Sequence, residues 1–170
     1  KLYKMPKPTI AALPGAAAGA GLSLALACDL RIMATNAIMT TAFARVGFSG
    51  DYGGTHFMSQ LVGTAKAREL YFLSDRVSAE EALRLGLTNW ICDPLELEAK
   101  TKEIATRLAN GPTVAYRYMK ENFNRSLSSG DVDDCLDLEA THHVHCGQTE
   151  DHRMAVKAFV EKQEPVFKGR

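Results

Sequence analysis

A glycine-rich turn followed at once by an apolar helix is the part of this sequence best suited to bind an anion. The turn contains Gly19, Ala20 and Gly21; the two glycines permit unusual backbone dihedral angles, and the small alanine leaves its own N–H accessible. The first turn of a helix carries unpaired N–H groups and the positive end of the helix dipole. An oxygen that gains negative charge could therefore be stabilised here by backbone donors alone.

The turn by itself leaves three interpretations open: a dinucleotide phosphate site, a thioester oxyanion site, or close packing of a helix on its sheet. A dinucleotide site would also need an acidic residue about 20 positions later, at the end of the next strand. The strand predicted over residues 30–35 is followed by no such residue, because it ends in Thr35 and Asn36. The sequence therefore disfavours the dinucleotide, and local spacing does not decide between the other two.

The elements around the turn follow from periodicity and helix caps. Residues 8–13 are predicted as a short buried strand, and two further strands, at residues 30–35 and 37–42, are separated by a tight turn. Ser78 and Glu81 form a capping box for a helix ending before Gly86, after which residues 87–92 form a strand. Four helices are predicted over about 94–110, 113–125, 131–146 and 149–162. We expect an α/β core over residues 1–93 and a helical module over residues 94–170.

Composition fits a soluble intracellular domain. Of 170 residues, 46% are hydrophobic and 24% are charged. The 20 basic and 20 acidic residues cancel, so the charge gives no indication of nucleic acid or an anionic membrane as a partner. The sequence shows neither a signal peptide nor an apolar run long enough to span a bilayer, and we expect a cytoplasmic location.

The cysteine and histidine residues offer one arrangement that could bind a metal. The four cysteines are widely separated and include no Cys-x-x-Cys pair, so reduced thiols are expected. His142, His145 and Cys146 could share one face of a helix and hold zinc. Packing or surface roles are more common for helical residues of these types, and we expect no metal.

Six segments, in this order along the chain, resemble the crotonase or enoyl-CoA hydratase/isomerase superfamily. They are PTIAALPG at residues 8–15, GAGLSLALACDLRI at 19–32, GDYGGT at 50–55, VGTAKAREL at 62–70, DRVSAEEA at 75–82 and FVEKQEPVFKGR at 159–170. The likeness covers essentially the whole chain. It implies a crotonase-like α/β fold, with a spiral core of β-β-α units and a helical C-terminal module that serves oligomer assembly and contacts coenzyme A.

The resemblance also implies that a substantial N-terminal portion precedes the position of Lys1 in family members, including one of two oxyanion N–H donors. Ala20 matches the other donor, with Gly19 and Gly21 beside the substrate. We therefore expect this chain to be the C-terminal part of a larger enzyme. We also expect it to be inactive alone, since removing one oxyanion donor typically costs about 3–4 kcal/mol of transition-state stabilisation.

Ser23 and Phe43 stand where the hydratases of the family carry two glutamates that position the attacking water. Neither a serine hydroxyl without an activating base nor a phenylalanine ring can act as a general base at neutral pH. The resemblance therefore puts ordinary hydratase chemistry in doubt. The absence of both glutamates is also expected if a hydratase site has lost its catalytic residues.

Asp51 is the remaining carboxylate of the motif region, at a position where isomerases of the family carry an aspartate. Among these isomerases is the type resembling the epoxyphenylacetyl-CoA isomerase of phenylacetate breakdown. A carboxylate enclosed by Phe43, Phe48 and Tyr52, which we expect to line the substrate site, would be desolvated and suited to move a proton between two carbons. In the alternative, Asp51 only caps a helix beginning near Tyr52, a role that local sequence favours and the resemblance does not.

Phe159 and Lys162, three residues apart on a predicted helix, match positions at which family members contact the adenine and phosphates of CoA. A basic residue in the last turn also complements the helix dipole. Coenzyme A is expected only as part of an acyl-CoA substrate, with no separate cofactor. Family enzymes commonly assemble as trimers and hexamers, so the resemblance implies a homotrimer or hexamer.

Taken together, these features favour an enzyme that isomerises a double bond, or an epoxide or oxepin, in an acyl-CoA thioester. An enolate would form at the Ala20 N–H, with Asp51 as the acid and base. The alternatives are a hydratase-like lyase with a diverged site and a non-catalytic protein of the crotonase fold that serves assembly.

Overall fold

The computed structural model describes residues 1–170 as short strands and longer helices. The strands are β1 Ile10–Leu13, β2 Ala17–Ala18, β3 Leu30–Ala34, β4 Ile38–Thr40, β5 Val77–Ser78 and β6 Trp90–Cys92. The helices are α1 Ala20–Leu26, α2 Gly54–Leu73, α3 Ala79–Arg84, α4 Leu97–Ala109, α5 Thr113–Ser129, α6 Val132–Gly147 and α7 Glu150–Val160. Turns of 3₁₀ helix lie at Leu2–Lys4, Phe43–Val46 and Pro94–Glu96. No helix combines the length and apolar character that crossing a membrane requires.

The strands form two small sheets. β1, β3 and β6 are parallel and lie in that order, with Ala12 opposite Ile32 and Ile32 opposite Trp90. In the other sheet β2 pairs in parallel with β4, and β4 pairs antiparallel with β5. The short strand β2 is not predicted from the sequence. It ends immediately before Gly19, so the glycine turn leaves directly from the end of a paired strand.

The hydrophobic core lies around β3. Residues 32–34 of this strand are fully enclosed, as expected for a parallel strand that is covered on both faces. Met39, Met58 and Leu87 are also fully buried, and α1 contributes its apolar face through Leu22 and Leu26. The apolar helix that follows the glycine turn is therefore anchored by burial of this face.

Arg31 is a charged side chain enclosed with these apolar residues, at 4% exposure. Its Nε donates to the carbonyl of Leu87 at 2.7 Å, and one terminal nitrogen donates to the carbonyls of Cys28 at 2.7 Å and Ala25 at 3.5 Å. Burial lowers the pKa of Arg31, while nearby Cys28 and Asp29 act in the opposite direction. Arg31 thus joins the end of α1 to the segment that leads into β6.

The chain folds as two compact units that divide within α4. The first comprises residues 1–3 and 9–103, and the second comprises residues 4–8 and 104–170. Leu97, at the start of α4, is buried in the first unit. The functional division predicted at residue 93, into a spiral core and an assembly module, stays a prediction.

Side chains cap the starts of three helices, and the sequence predicts the cap at Ser78. Ser78 accepts a hydrogen bond from the backbone N–H of Glu81 at 3.2 Å, and side chains of Asp131 and Thr149 cap α6 and α7. The predicted second hydrogen bond of the capping box, from the Glu81 side chain, is wrong. The Glu81 carboxylate instead binds Arg84 one turn later, and the Arg84 Nε lies 2.6 Å from it. An ion pair within α3 replaces the second cap.

A buried aspartate fixes the C-terminal residues to α7. Asp151 is 4% exposed, and its two carboxylate oxygens accept hydrogen bonds from the backbone N–H groups of Lys168 at 2.7 Å and Gly169 at 2.8 Å. The backbone N–H of Asp151 in turn donates to the carbonyl of Arg170 at 2.9 Å. Residues 168–170 are therefore held against the first turn of this helix.

Asp151→Ala is expected to lower the free energy of unfolding by about 2 kcal/mol, because two hydrogen bonds to a charged acceptor are lost. Trypsin is expected to cleave after Lys168 faster in the variant, since the backbone there is released. Urea unfolding and timed proteolysis measure the two effects. Asp137→Ala, which removes an exposed carboxylate from α6, is the matched control. Equal cleavage rates in the two variants would contradict the conclusion that Asp151 holds residues 168–170 against α7.

Candidate functional site

The glycine turn is held in one conformation by backbone hydrogen bonds. Gly19 has φ 52° and ψ −121°, a conformation that residues with a side chain rarely adopt. Its N–H donates to the carbonyl of Thr40 at 3.1 Å, and its carbonyl accepts from the N–H of Ser23 at 3.0 Å. Ala20 is the first residue of α1, so its N–H has no partner within the helix. The predicted backbone donor therefore lies at the start of a rigid turn.

Ser23 lies directly behind this turn and is 1% exposed. Its hydroxyl donates to the carbonyl of Gly19 at 3.2 Å, and both this hydroxyl and that of Tyr71 lie against the position that a Cβ on Gly54 would occupy. A side chain that is buried and paired in this way cannot position a water molecule in open solvent. Ser23 thus contributes to the support of the turn.

Phe43 packs against the same turn and is 7% exposed. A Cβ built on Gly19 would lie 3.7 Å from the ring of Phe43, so the glycine and the aromatic ring are in close approach. The ring also stacks on Tyr71, with centroids 6.0 Å apart and an interplanar angle of 14°. The structure therefore brings together Gly19, Ser23 and Phe43, three of the residues that the resemblance places at the site.

Asp51 lies in a loop that is shaped by three positive φ angles, at Gly50, Tyr52 and Gly53. The helix that follows begins at Gly54 with Gly53 as its N-cap, and no side chain caps it. Only the backbone carbonyl of Asp51 is engaged, accepting from the N–H of Gly54 at 2.9 Å. The alternative in which the Asp51 side chain caps α2 is therefore wrong, and its carboxylate is not committed to that role.

The expected desolvation of Asp51 is not observed. Asp51 is exposed, and Phe48 and Tyr52 are 72% and 66% exposed. Of the three aromatic residues expected to enclose Asp51, only Phe43 is buried within the chain. Phe48 and Tyr52 present open aromatic surface beside the carboxylate and do not enclose it.

A cavity of about 420 Å³ opens beside the loop. Aromatic rings, hydroxyl groups and one guanidinium line it. These residues are Ala44, Phe48, Ser49, Thr55, Ser59, Ala67, Arg68, Tyr71 and Phe72. Phe48 is the only predicted substrate-binding residue in this lining. The cavity is large enough and apolar enough to take an acyl group.

Tyr71 is the residue of this region that the sequence did not predict. Its ring stacks on Phe43, and a Cβ on Gly54 would overlap both its hydroxyl and that of Ser23. Burial raises the pKa of Tyr71, and the negative charge of Asp51 acts in the same direction. It therefore links the glycine turn to the Asp51 loop. Its position within α2, far along the chain from both, gives no local signal. The only related signal in the sequence is the pair of glycines that flank the loop, Gly50 and Gly54, since residues without a side chain leave space for the Tyr71 ring.

Phe159 and Lys162 do not share one helical face, which corrects the prediction. α7 ends at Val160, and Lys162 follows in the left-handed region with φ 55°. The N–H of Gln163 donates to the carbonyl of Ala158 at 2.8 Å, and that of Lys162 to Phe159 at 3.2 Å, which is a Schellman ending. Phe159 is 84% exposed and lines a groove of about 410 Å³. Both side chains remain candidates for contact with CoA.

The zinc alternative receives no support from the placement of His142. This residue is 7% exposed, and its Nδ1 lies 2.5 Å from Oδ1 of Asn122 while its Nε2 lies 3.4 Å from Glu121. The ring also packs on Tyr118, with centroids 4.3 Å apart. No group of three or more His, Cys, Asp or Glu residues is placed to hold a metal ion. His142 is a packing residue between α5 and α6.

A model of the enoyl-CoA hydratase/isomerase family matches residues 1–170. The short-chain-enoyl-CoA hydratase of Clostridium acetobutylicum is 37% identical over 171 residues, which cover 100% of this chain and 65% of that protein. The 1,2-epoxyphenylacetyl-CoA isomerase of Escherichia coli is 36% identical over 170 residues, covering 100% and 64%. The chain thus spans slightly less than two thirds of the length of these relatives. Both hydratases and isomerases are similar to it.

Solved structures agree with the fold. An enoyl-CoA hydratase from Bacillus anthracis matches with a TM-score of 0.95 at 33% identity, covering 99% of this chain and 65% of that one. An enoyl-CoA hydratase from Polaromonas sp. JS666 matches with a TM-score of 0.93 at 34% identity, covering 98% and 65%. The crotonase-like α/β fold predicted from the sequence is confirmed.

Proposed function

Because the chain belongs to the enoyl-CoA hydratase/isomerase family, we propose that the protein acts on acyl-CoA thioesters and moves a double bond along the acyl chain. Coenzyme A is part of the substrate in this proposal, and no further cofactor takes part. The Ala20 N–H donates to the thioester oxygen, together with a second donor from the rest of the protein. Asp51 carries the proton.

The proton transfer has two steps. The Asp51 carboxylate removes a proton from the α carbon of a 3-enoyl thioester, and the electron pair passes to the thioester oxygen, where the backbone donor stabilises the enolate. The electrons then return, the γ carbon takes the proton from Asp51, and the double bond lies between the α and β carbons. One carboxylate is sufficient, because the proton that leaves is the proton that returns.

The observation that carries this proposal is the identity and environment of three side chains around the turn. Ser23 is buried and hydrogen-bonded to the carbonyl of Gly19, and Phe43 has no proton to exchange, so neither supports the attack of water. Asp51 has a carboxylate that caps no helix and that acts electrostatically on Tyr71 next to the turn. The arrangement therefore favours proton movement over hydration.

Within this reaction class, we propose an aromatic epoxide or oxepin thioester as the finer substrate alternative to a straight-chain 3-enoyl-CoA. Two observations support it. The Escherichia coli relative named 1,2-epoxyphenylacetyl-CoA isomerase is 36% identical to this chain. Phe48 and Tyr71 place aromatic surface in the cavity beside the Asp51 loop, on which a ring can stack.

A hydratase reaction is the second candidate, since the relative from Clostridium acetobutylicum is named a hydratase. A non-catalytic assembly role is the third. Large apolar side chains are exposed on α5 and α6, including Phe123 at 71%, Val132 at 69% and Leu136 at 56%. We propose that this surface contributes to a homotrimer or hexamer in either an active or an inactive protein, and that Phe159 and Lys162 contact the CoA moiety.

The experiment that separates these functions uses the full-length protein with a 3-enoyl-CoA, a 2-enoyl-CoA and an aromatic epoxide thioester, each in D₂O. Mass spectrometry and NMR identify the products. Isomerisation gives a shifted double bond, or a rearranged ring, with no added water. A hydroxyacyl-CoA as the only product would replace the proposal by the hydratase candidate. No turnover of any thioester by an assembled oligomer would favour the non-catalytic role.

A further inference from the structure

A break in α2 at Gly63 lets both halves of this helix line the cavity beside the Asp51 loop. Gly63 has φ 74° and ψ 162°, a non-helical conformation within an element that is otherwise helical. In a straight helix, Thr55 and Arg68 would lie about 20 Å apart along the axis. Both instead line the same cavity of about 420 Å³, together with Ser49 of the segment that leads to Asp51. Arg68, from the far half of α2, is therefore part of the cavity next to the proposed proton carrier.

Arg68 is the only charged residue in the lining of this cavity. No ion pair or side-chain hydrogen bond joins its guanidinium to another residue of the chain. The neighbouring carboxylate, Glu69, is engaged by Lys66, whose Nζ lies 2.7 Å and 2.8 Å from its two oxygens. The positions one turn away from Arg68 on α2 are 64, 65, 71 and 72, and none of them is acidic. The positive charge of Arg68 is therefore free to pair with a ligand.

Hydroxyl groups add further hydrogen-bond donors to the lining. They belong to Ser49, Thr55 and Ser59. None of these three hydroxyls is hydrogen-bonded to another residue of the chain, whereas the hydroxyl of the buried Thr41 donates to the carbonyl of Leu70 at 2.8 Å. The rings of Phe48 and Phe72 supply apolar surface beside them. The cavity thus combines apolar walls with a positive charge and free donors, and no acidic residue lines it.

This combination fits an acyl chain that is apolar along its length and carries a carboxylate at its far end. A guanidinium binds a carboxylate through two parallel N–H···O bonds, and hydroxyl groups can donate to the lone pairs that remain. Asp51 is not a lining residue, so a carboxylate in the cavity meets a positive charge and no negative one. A neutral acyl chain would leave the guanidinium without a partner.

We propose that the protein acts on monothioesters of dicarboxylic acids, and that Arg68 selects them by pairing with the carboxylate at the far end of the acyl chain. This inference rests on the proposed function, in which the thioester oxygen lies at the Ala20 N–H and the reacting carbons lie near Asp51. It narrows the substrate class, because a straight-chain or aromatic acyl group without an acidic substituent makes no use of Arg68. Arg68 determines specificity and takes no part in the proton transfer.

Two thioesters that differ only at the end of the acyl chain test this selection. Hex-3-enoyl-CoA and 3-hexenedioyl-CoA have the same number of acyl carbons and the same double bond, and the second carries a carboxylate in place of the terminal methyl group. For the full-length protein we expect kcat/KM to be about tenfold higher for the dicarboxylic thioester, because charge-assisted hydrogen bonds form with Arg68. The monomethyl ester, which keeps acceptor oxygens but has no charge, should be turned over like hex-3-enoyl-CoA. Added salt should reduce the preference.

Arg68→Met removes the charge and keeps much of the apolar volume. We expect it to raise KM for 3-hexenedioyl-CoA about tenfold with little change in kcat, and to leave hex-3-enoyl-CoA unaffected. Arg68→Lys keeps the charge but lacks the planar fork, so it should retain part of the preference. Arg76→Met, which removes an exposed arginine of the same compact unit, is the matched control and should retain the whole preference.

Binding of each thioester, measured by calorimetry, distinguishes failure of the inference from failure of the proposed function. If the protein isomerises the dicarboxylic thioester and hex-3-enoyl-CoA equally well, or if Arg68→Met keeps the preference, Arg68 does not select the substrate and the proposed function stands. Turnover of the monomethyl ester equal to that of the acid would also overturn the inference, because charge would then play no part. If the dicarboxylic thioester binds more tightly through Arg68 but is not isomerised, the selection stands and the proposed reaction is wrong. Equal binding without isomerisation would overturn both.

Discussion

Replacing Asp51 by Asn in the full-length protein is expected to reduce turnover of a 3-enoyl-CoA about 10³-fold, within the range that general acid–base catalysis contributes. The amide keeps the size of the side chain but cannot take a proton from carbon at neutral pH. The N-cap of α2 is Gly53, which has no side chain, so the substitution removes no cap and the fold is expected to persist. Steady-state kinetics and circular dichroism measure the two properties.

Asp75→Asn is the matched control for this substitution. Asp75 is an exposed aspartate of the same compact unit, and its change should leave kcat within about twofold, as surface substitutions usually have small effects. Affinity for a substrate analogue should be similar in both variants, because Asp51 acts on a proton and not on the CoA moiety. Turnover by Asp51→Asn equal to that of the control would refute the proton shuttle.

Replacing Arg31 by Met is expected to lower the free energy of unfolding by about 3 kcal/mol, because each buried carbonyl left without a donor costs about 1–3 kcal/mol. The carbonyls of Cys28 and Leu87 lose the Arg31 donor, while that of Ala25 keeps the backbone N–H of Cys28. Methionine supplies similar apolar volume but no donor. Urea unfolding followed by fluorescence of Trp90 measures the change. The loss is expected to affect the turn as well, since α1 ends at the carbonyls that Arg31 holds.

Arg84→Met is the control for Arg31. Its guanidinium is largely exposed and pairs with Glu81 one turn earlier, so its loss should lower the urea midpoint much less than the loss of Arg31, because exposed ion pairs contribute little to stability. If both arginine variants unfolded at the same urea concentration, the carbonyls of Cys28 and Leu87 would have to be satisfied in another way. The account of how α1 is joined to the segment before β6 would then be wrong.

Local sequence predicts the elements of this fold whose determinants are local. The cap at Ser78 starts α3 as expected, and α6 and α7 begin next to the predicted positions 131 and 149, because a side-chain oxygen and a backbone N–H a few residues apart need no tertiary context. The glycine turn is recognised for the same reason. Helix ends are less local, and α7 stops before Lys162 even though this residue is not a glycine.

The candidate site is harder to predict because its contacts join segments distant in sequence. Tyr71 meets Ser23 and Phe43 only once α2 has packed near α1, and no spacing rule connects these positions. Arg31 is read from sequence as an ordinary charged residue, and its burial depends on the carbonyls around it. Asp51 is exposed in a loop with three positive φ angles, and no local sequence pattern predicts this exposure.

The packed contact between Ser23, Tyr71 and Gly54 restricts the order in which this chain could acquire a new activity. A glutamate at Ser23 would need space that the tyrosine hydroxyl and the α carbon of Gly54 already fill. If Ser23→Glu were introduced first, the glutamate side chain would clash with these atoms. If Tyr71 had already been replaced by a smaller residue, the glutamate would fit. Directed evolution toward hydration should therefore pass through Tyr71, and libraries that vary the glutamate positions alone would miss the permissive step.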